Sequence, residues 1–230
     1  MEEKFLEFEN KLGFSFSNKK LLKEAFTHRS YINENRGCGW PHNERLEFLG
    51  DAVLELVVTD YLYHKYPEET EGDLTSYRAA LVNTQSISEG ASMWNMNDYL
   101  LLSKGEAKDE GKARQYILAD MFEAMIGAIY IDKGYEVAQE FIAKSLFHKT
   151  EEMVRKGLWK DAKSNFQEKA QEMENVTPAY RIISEEGPDH DKRFTVGVFL
   201  GEEKIAEGRG RSKQDAEQKA AEGALEVKGW

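Results

Sequence analysis

The chain has 230 residues, of which 40% are hydrophobic and 32% charged, and its formal net charge is −11. This length suits one large domain or two smaller ones, and the hydrophobic content can build a core. A single cysteine, Cys38, excludes an intramolecular disulfide. The polar, acidic start and the lack of an 18-residue apolar run predict neither a signal peptide nor a membrane span, so we expect a cytoplasmic protein with no membrane partner.

The negative net charge argues against a nucleic-acid partner, because phosphate binding depends largely on Lys and Arg. Screening acts over ~8–10 Å at physiological ionic strength, however, so local patches of charge matter more than the total. Metal ions bound by clustered carboxylates would also cancel part of the negative charge. The composition therefore leaves nucleic acid open as a partner.

Hydrophobic periodicity predicts an all-helical domain over residues 1–156. Its predicted helices cover residues 2–11, 18–27 with Ser17 as N-cap, about 42–66, 73–82, 84–93, 115–130 and 135–156. The segment 33–41, rich in glycine and asparagine, is predicted to be a loop, and the polar segment 106–113 to be mobile. The second half of helix 42–66 is apolar on more than one face, which indicates burial in the domain centre or at a subunit interface.

The pattern changes at residues 157–161, which we predict to be a linker. Residues 162–230 then read as helix 162–173, strands 179–184, 194–200 and 204–208, and helix 212–227. An α-β-β-β-α order suits two helices packed on one face of an antiparallel sheet. The predicted fold class is therefore mainly α, with a small α-β-β-β-α domain after the helical one.

Helix 42–66 carries three carboxylates, Glu44, Glu47 and Asp51, on one stripe at i, i+3 and i+7. Like charges repel, so their position beside a strongly apolar surface indicates that they hold a cation. A second acidic pair, Asp120 and Glu123, lies in helix 115–130. If the two helices meet, the carboxylates would form an oxygen site suited to Mg2+.

Two other interpretations of these carboxylates remain open from the residues alone. Acidic side chains in helices are often solvated or paired with Lys or Arg, and di-iron helical bundles also gather carboxylates. Di-iron bundles usually contain Glu-x-x-His motifs, which this sequence lacks. Gly50 lies between the acidic residues at a cost of ~1 kcal/mol relative to alanine, which predicts close approach by a metal-ligating neighbour or by a partner chain.

The acidic stripe belongs to a segment, NERLEFLGDA at 43–52, that resembles the signature of the ribonuclease III family of double-stranded-RNA endonucleases. Four further segments resemble segments of the family and occur in the same order as in the family: THRSY at 27–31, EGDL at 71–74, KGE at 104–106 and ILADMFEA at 117–124. The C-terminal part resembles a double-stranded-RNA-binding domain, with KSNFQE at 163–168, GPDH at 187–190 and GRGRSK at 208–213. The resemblance covers nearly the whole chain.

This resemblance implies a metal cluster of Glu47, Asp51, Asp120 and Glu123, with Asp51 and Glu123 as the catalytic pair. The expected cofactor is Mg2+, with Mn2+ as an alternative and no small-molecule cofactor. Two metal ions ~3.5–4 Å apart can activate water and stabilise the leaving oxygen in phosphodiester hydrolysis. Glu47, Asp51 and Glu123 are expected to bind metal directly, and Asp120 partly through the other ligands.

The resemblance also implies a homodimer. The aromatic side chain of Phe48 would insert into the partner subunit, and Glu44 and Glu71 would lie near the subunit junction. Core packing is the alternative for Phe48. For the two glutamates the alternatives are plain exposure or ion pairs with Arg45 or Arg78.

In the C-terminal module the resemblance assigns duplex RNA contacts to three groups of residues. Side chains of the first helix would reach 2′-hydroxyls, a hairpin loop would enter the second minor groove, and the start of the last helix would bind phosphate. These groups are Ser164, Gln167 and Glu168; Pro188, Asp189 and His190; and Arg211, Ser212 and Lys213. Residues 163–228 contain 11 Lys and Arg against 14 Asp and Glu, and Gln214 stands where a second lysine is common. We therefore expect moderate RNA binding with a shallow salt dependence, or a module that mainly positions the enzyme or binds protein.

The sequence thus predicts a homodimeric, Mg2+-dependent endoribonuclease that cleaves double-stranded RNA. The family implies products with 5′-phosphate and 3′-hydroxyl ends and short 3′ overhangs, and substrates among rRNA precursors and mRNAs. A non-catalytic double-stranded-RNA-binding protein on the same fold is the second hypothesis. The four filled acidic positions argue against it.

Overall fold

A computed structural model describes residues 2–108, 110–157, 159, 162–188 and 192–230. The chain separates into two compact units, Met1–Trp159 and Lys160–Trp230. The first is helical, and the second contains three strands between two helices. The predicted fold class, mainly α with a small α-β-β-β-α domain, is confirmed.

Helices account for most of the N-terminal unit. Their bounds are α1 (Glu2–Leu12), α2 (Lys19–Ala25), α3 (Arg29–Glu34), α4 (Glu44–Lys65), α5 (Glu71–Leu81), α6 (Thr84–Met93), α7 (Lys112–Lys133), α8 (Tyr135–Leu146) and α9 (Thr150–Arg155). Short 3-10 turns occupy Met96–Tyr99, Glu106–Lys108 and Phe147–Lys149. The last of these turns divides the predicted helix 135–156 into α8 and α9.

The predicted N-cap of the second helix was wrong. Asn18, not Ser17, caps α2, because the side-chain oxygen of Asn18 accepts a hydrogen bond from the Lys20 amide at 3.1 Å. The Ser17 amide instead donates to Asp132 Oδ2 at 2.7 Å, and the Asn18 amide to Oδ1 at 2.8 Å. A carboxylate from the end of α7 therefore satisfies the amides that precede α2. The predicted loop 33–41 was also too long, since residues 33 and 34 end α3.

The core of this unit is built around α4 and α7, which pack along each other. On α4, the second half buries Leu54, Val57, Val58 and Leu62. Its other side stays exposed, with Leu56 and Tyr63 at 57% and 66% relative accessibility. The prediction that this half-helix is buried therefore holds for one side of it, and the other side is available to a partner.

The two central helices touch backbone to backbone at a pair of glycines. A Cβ atom on Gly50 would lie 1.7 Å from the carbonyl oxygen of Glu123, and one on Gly127 would lie 2.2 Å from the carbonyl oxygen of Leu46. No side chain fits at either distance. The close approach predicted at Gly50 therefore comes from the backbone of an acidic residue of the same chain, and it sets the spacing between α4 and α7.

The C-terminal unit consists of α10 (Ala162–Glu174), β1 (Ala179–Glu186), β2 (Arg193–Leu200), β3 (Glu203–Gly210) and α11 (Lys213–Lys228). The strands form an antiparallel sheet in the order β1-β2-β3. Phe166 from α10, Val198 and Leu200 from β2, and alanines of α11 build its core. Small alanines allow α11 to lie close to β3, and Ser212 caps α11 by accepting from the Asp215 amide at 3.1 Å.

Candidate metal centre and nucleic-acid interface

Three carboxylates meet where α4 crosses α7. One carboxylate oxygen each from Glu47, Asp120 and Glu123 can be chosen so that all lie within 4.8 Å of one another, and all three residues are half-buried. The glycine contact described above places the α4 backbone directly against the Glu123 carbonyl. The packing of these two helices therefore determines how far apart the carboxylates lie.

Asp51 and Glu44 lie at the margins of this cluster. Both side chains are exposed on α4, and Asp51 is four residues beyond Glu47, which is about one helical turn. Glu44 is 3.4 Å from Arg29 Nη1 and 3.8 Å from His42 Nδ1. The three oxygens that the structure groups most closely thus include Asp120, which the sequence had given the less direct role, whereas Asp51 faces solvent.

Burial and mutual repulsion make these carboxyls hard to ionise. Burial, with the charges of Asp120, Glu44 and Asp51, raises the pKa of Glu47 to about 7. Burial, with Asp51 and Glu47 as the largest charges, raises the pKa of Glu123 to about 8. The pKa of Asp120 is also raised by burial, against the opposing effect of His28. Without a cation, the cluster therefore retains protons at neutral pH instead of carrying its full negative charge.

The donor chemistry of the cluster fits a hard divalent cation. In the part of the chain that the structure describes, no Lys or Arg forms an ion pair with Glu47, Asp120 or Glu123. Carboxylate oxygens are the ligands that Mg2+ takes in proteins, usually one or two with several waters retained. A bound cation would neutralise the charge that raises the pKa values of Glu47 and Glu123.

Sequence reasoning missed the part that His28 plays near the cluster. Its Nδ1 lies 2.8 Å from Ser30 Oγ, and Ser30 Oγ accepts from the Ser103 amide at 3.1 Å. Burial lowers the pKa of His28, while the charges of Glu106 and Asp120 oppose that change. The segment THRSY at 27–31 was the available signal. This segment places the His28 imidazole close enough to Asp120 for the carboxylate to affect the pKa of His28.

Glu55 is a further acidic group that sequence reasoning did not single out. It lies one turn beyond Asp51 on α4, and its charge adds to the field that raises the pKa of Glu123. Arg78 of α5 neutralises it in part, with Nε 2.9 Å from Glu55 Oε2 and Nη1 donating to Thr59 Oγ1 at 3.0 Å. The acidic edge of α4 therefore continues past the predicted stripe and ends at an ion pair.

The residues predicted to lie at a subunit junction are all exposed. Phe48 is 81% accessible, so the alternative of core packing for this side chain is wrong. Glu44 pairs with Arg29 rather than with Arg45 or Arg78. Glu71 is exposed in the first turn of α5, on the rim of a shallow groove shared with the α4 residues Thr59 and Tyr63.

The predicted RNA-contacting residues that the structure describes are all exposed on the C-terminal unit. Ser164, Gln167 and Glu168 lie on one exposed face of α10, along a shallow depression. Arg211, Ser212 and Lys213 are exposed where β3 passes into α11. Pro188 is also exposed. Asp189 and His190 lie outside the described residues, as do residues 158, 160 and 161 of the predicted linker.

A carboxylate cluster between two packed helices, followed by an α-β-β-β-α module, is the arrangement that the sequence predicted for a nuclease of double-stranded RNA. Comparison with protein families agrees: residues 18–150 match the ribonuclease-III-like model, and residues 162–228 match the double-stranded RNA binding motif. The chain belongs to the ribonuclease III family and is an endoribonuclease.

Individual relatives align over almost the entire chain. Ribonuclease 3 of a Nitratiruptor species is 44% identical over 221 residues, which cover 96% of this chain and 95% of the relative. Ribonuclease 3 of Geobacillus kaustophilus is 46% identical over 224 residues, or 97% of this chain and 91% of the relative. A structure of the nuclease domain of Campylobacter jejuni ribonuclease III, which concerns flexibility in a region of dimer formation, is 44% identical with a TM-score of 0.54 and covers 60% of this chain and 95% of that domain.

No helix among the described residues combines the length and apolarity needed to cross a bilayer.

Proposed function

We propose that this enzyme hydrolyses double-stranded RNA with Mg2+, or Mn2+ in its place, bound by Glu47, Asp51, Asp120 and Glu123. The observation that carries the proposal is the set of half-buried carboxylate oxygens within 4.8 Å of one another. Their raised pKa values indicate that a cation is needed to keep them ionised at neutral pH.

The chain's own residues would contribute position and charge. The metal would be bound by the neighbouring carboxylate oxygens of Glu47, Asp120 and Glu123. Asp51 is exposed and extends the site towards solvent, from which a phosphodiester can approach. Bound Mg2+ would supply an activated water and stabilise the oxygen of the leaving group. The Gly50–Gly127 contact fixes the spacing, since neither helix can move closer and any added side chain would push them apart.

We further propose that the enzyme acts as a homodimer through the exposed edge of α4. Phe48, Leu56 and Tyr63 recur at i, i+8 and i+15, which places them on one side of the helix, and all are more than half exposed. A row of large exposed apolar side chains indicates an interaction surface. Phe48 would insert into the groove of the partner subunit near its α4 and α5. Glu44 and Glu71 would then lie near the junction, with one acidic cluster available for each RNA strand.

RNA binding is proposed for the exposed face of α10, for the loop that the sequence predicts at Pro188, Asp189 and His190, and for the start of α11. The side chains of Ser164, Gln167 and Glu168 would contact 2′-hydroxyls in one minor groove, and the loop would contact the next. Arg211, Ser212 and Lys213 would bind phosphate at the N-terminus of α11, where the helix dipole favours an anion. The proposed substrates are structured rRNA precursors and mRNAs in the cytoplasm, and the products carry 5′-phosphate and 3′-hydroxyl ends with short 3′ overhangs.

The test incubates a duplex RNA with the wild-type chain, with Glu123→Gln and with the control Glu140→Gln. Glu140 is an exposed carboxyl on α8 that lies 3.8 Å from Lys144. With Mg2+ or Mn2+ we expect cleavage by wild type and control, and a loss of about 100-fold or more in Glu123→Gln with RNA binding retained. EDTA should stop all cleavage, and enzymatic ligation should detect the 5′-phosphates.

Two results would contradict the proposal. Wild-type protein that cleaves equally well in EDTA would exclude the metal centre. Glu123→Gln that binds RNA much more weakly than Glu140→Gln would assign Glu123 to RNA contact or to structure.

A further inference from the structure

A carboxylate lies against the proposed phosphate-binding start of α11. Glu185, near the end of β1, has Oε1 3.7 Å from Lys213 Nζ and Oε2 3.2 Å from Lys192 Nζ. The sheet register creates this arrangement, because Glu185 pairs with Phe194 on β2 and Phe194 pairs with Gly210, which ends β3 just before α11. Each oxygen of one carboxylate therefore holds one lysine.

The aromatic ring of Phe194 lies beneath both cations. Lys213 Nζ is 5.7 Å and Lys192 Nζ 6.0 Å from the ring centroid, within the range of cation–π attraction. The side chains stay partly open to solvent, with accessibilities of 57% for Lys213 and 36% for Glu185. A ligand anion can therefore reach Lys213, but it arrives where a carboxylate is already bound.

The other carboxylate at this helix start has a different role. Asp215 accepts a hydrogen bond from the Arg211 amide at 3.0 Å and lies 3.1 Å from Lys219 Nζ. Its amide donates to the capping Ser212. Asp215 thus maintains the turn into α11, whereas Glu185 contacts two lysine side chains.

We propose that Glu185 competes with RNA phosphate for Lys213 and so lowers the affinity of this module for duplex RNA. The inference rests on the proposed function, because it presumes that the start of α11 binds phosphate. A phosphate that takes Lys213 must displace the carboxylate and is repelled by it. When a phosphate takes Lys213, the cation released from the RNA is offset in part by a cation that the displaced Glu185 carboxylate attracts, which flattens the salt dependence.

The test compares Glu185→Gln with Glu186→Gln. Glu186 is the neighbouring exposed carboxyl of β1, and it accepts a hydrogen bond from Ser184 Oγ at 3.3 Å. Both substitutions remove one negative charge from the same strand, so a general change in net charge affects both equally. Affinity for an uncleaved duplex RNA is measured in Ca2+ or EDTA at several salt concentrations.

We expect Glu185→Gln to bind duplex RNA about three- to tenfold more tightly at low salt, with the slope of log affinity against log salt steeper by about 1. Glu186→Gln should change either quantity much less. In a Lys213→Gln background, Glu185→Gln should lose most of its gain. A purely structural role of Glu185 would not steepen the salt slope.

Equal gains in the two glutamate variants, or an unchanged or weaker affinity in Glu185→Gln, would overturn the inference while leaving RNA binding by the wild type intact. A gain that persists fully without Lys213 would also overturn it. If neither the wild type nor Glu185→Gln binds duplex RNA at low salt, the proposed role of the module fails as well.

Discussion

Replacing Glu123 with glutamine should stabilise the metal-free protein at alkaline pH while it abolishes cleavage. Glutamine resembles the protonated carboxyl in shape and removes a charge that burial and Asp51, Glu47 and Asp120 all oppose. The folded chain holds the Glu123 proton up to about pH 8, whereas the unfolded chain releases it near its ordinary pKa of 4.5. The wild-type protein in EDTA should therefore lose stability as pH rises from about 4.5 to about 8.

The magnitude follows from the size of the pKa difference. A rise in the pKa of Glu123 from 4.5 to about 8 corresponds to at most about 5 kcal/mol. The carboxyl is only half-buried, and solvent screens part of the repulsion, so we expect about 2 kcal/mol. Glu123→Gln should thus exceed the wild type by about 2 kcal/mol in unfolding free energy at pH 8, with little difference at pH 5.

Urea unfolding in EDTA from pH 5 to pH 8.5 measures this effect. Tryptophan fluorescence reports mainly on the helical unit, which holds Trp40, Trp94 and Trp159. Glu140→Gln serves as the control for a lost surface charge. A wild-type unfolding free energy that does not fall over this pH range would refute the reasoning, as would a Glu123→Gln protein no more stable than the control at pH 8. Added Mg2+ should then stabilise the wild type more than Glu123→Gln, because ligand binding favours the folded state.

Two more substitutions test the proposed subunit contact and the contact between α4 and α7. Phe48→Ala should shift the protein towards monomer in sedimentation experiments, because its exposed ring is proposed to fill the partner's groove. Leu6→Ala, which removes another exposed apolar side chain, is the control. If Phe48→Ala and Leu6→Ala sediment alike, Phe48 does not hold the dimer together. Gly127→Ala should lower the unfolding free energy by about 1–3 kcal/mol and reduce Mg2+-dependent cleavage, because its Cβ would lie 2.2 Å from the Leu46 carbonyl. Gly90→Ala is the control, because its Cβ would lie 3.1 Å from Leu146 Cδ2 and 3.5 Å from the Phe122 ring, away from the contact between α4 and α7; it separates loss of stability from loss of helix spacing.

Local rules predicted most of the secondary structure. Hydrophobic periodicity identified α4 and the three strands to within a few residues. It did not predict α3 (Arg29–Glu34). The wrong prediction of Ser17 as N-cap has a non-local cause. Asp132, which is 115 residues further along the chain, takes the Ser17 amide, and a neighbouring asparagine caps the helix. No local pattern contains that interaction.

The candidate site was predictable as a set of residue types but not as a geometry. Spacing along α4 indicated that Glu47 and Asp51 share one edge, and a glycine between them indicated close packing. Which oxygens converge depends on how α4 crosses α7, a tertiary property that the sequence does not display. The crossing brings Asp120 into the closest group and leaves Asp51 towards solvent. Burial of Glu123, the main cause of its raised pKa, likewise depends on that crossing.

The net charge of −11 is compatible with an RNA-binding enzyme because of where the negative charges lie. In the helical unit, carboxylates gather at one site where a divalent cation would neutralise them, so part of the formal charge is absent once the metal is bound. In the C-terminal unit, Glu185 already pairs with Lys192 and with Lys213, which is proposed to bind RNA phosphate. We expect both arrangements to weaken the attraction of RNA to the unliganded protein, and we expect Mg2+ to relieve the first and RNA phosphate the second. We therefore expect the Mg2+ concentration to control the charge of the carboxylate cluster, and the salt concentration to control how readily RNA phosphate displaces Glu185 from Lys213.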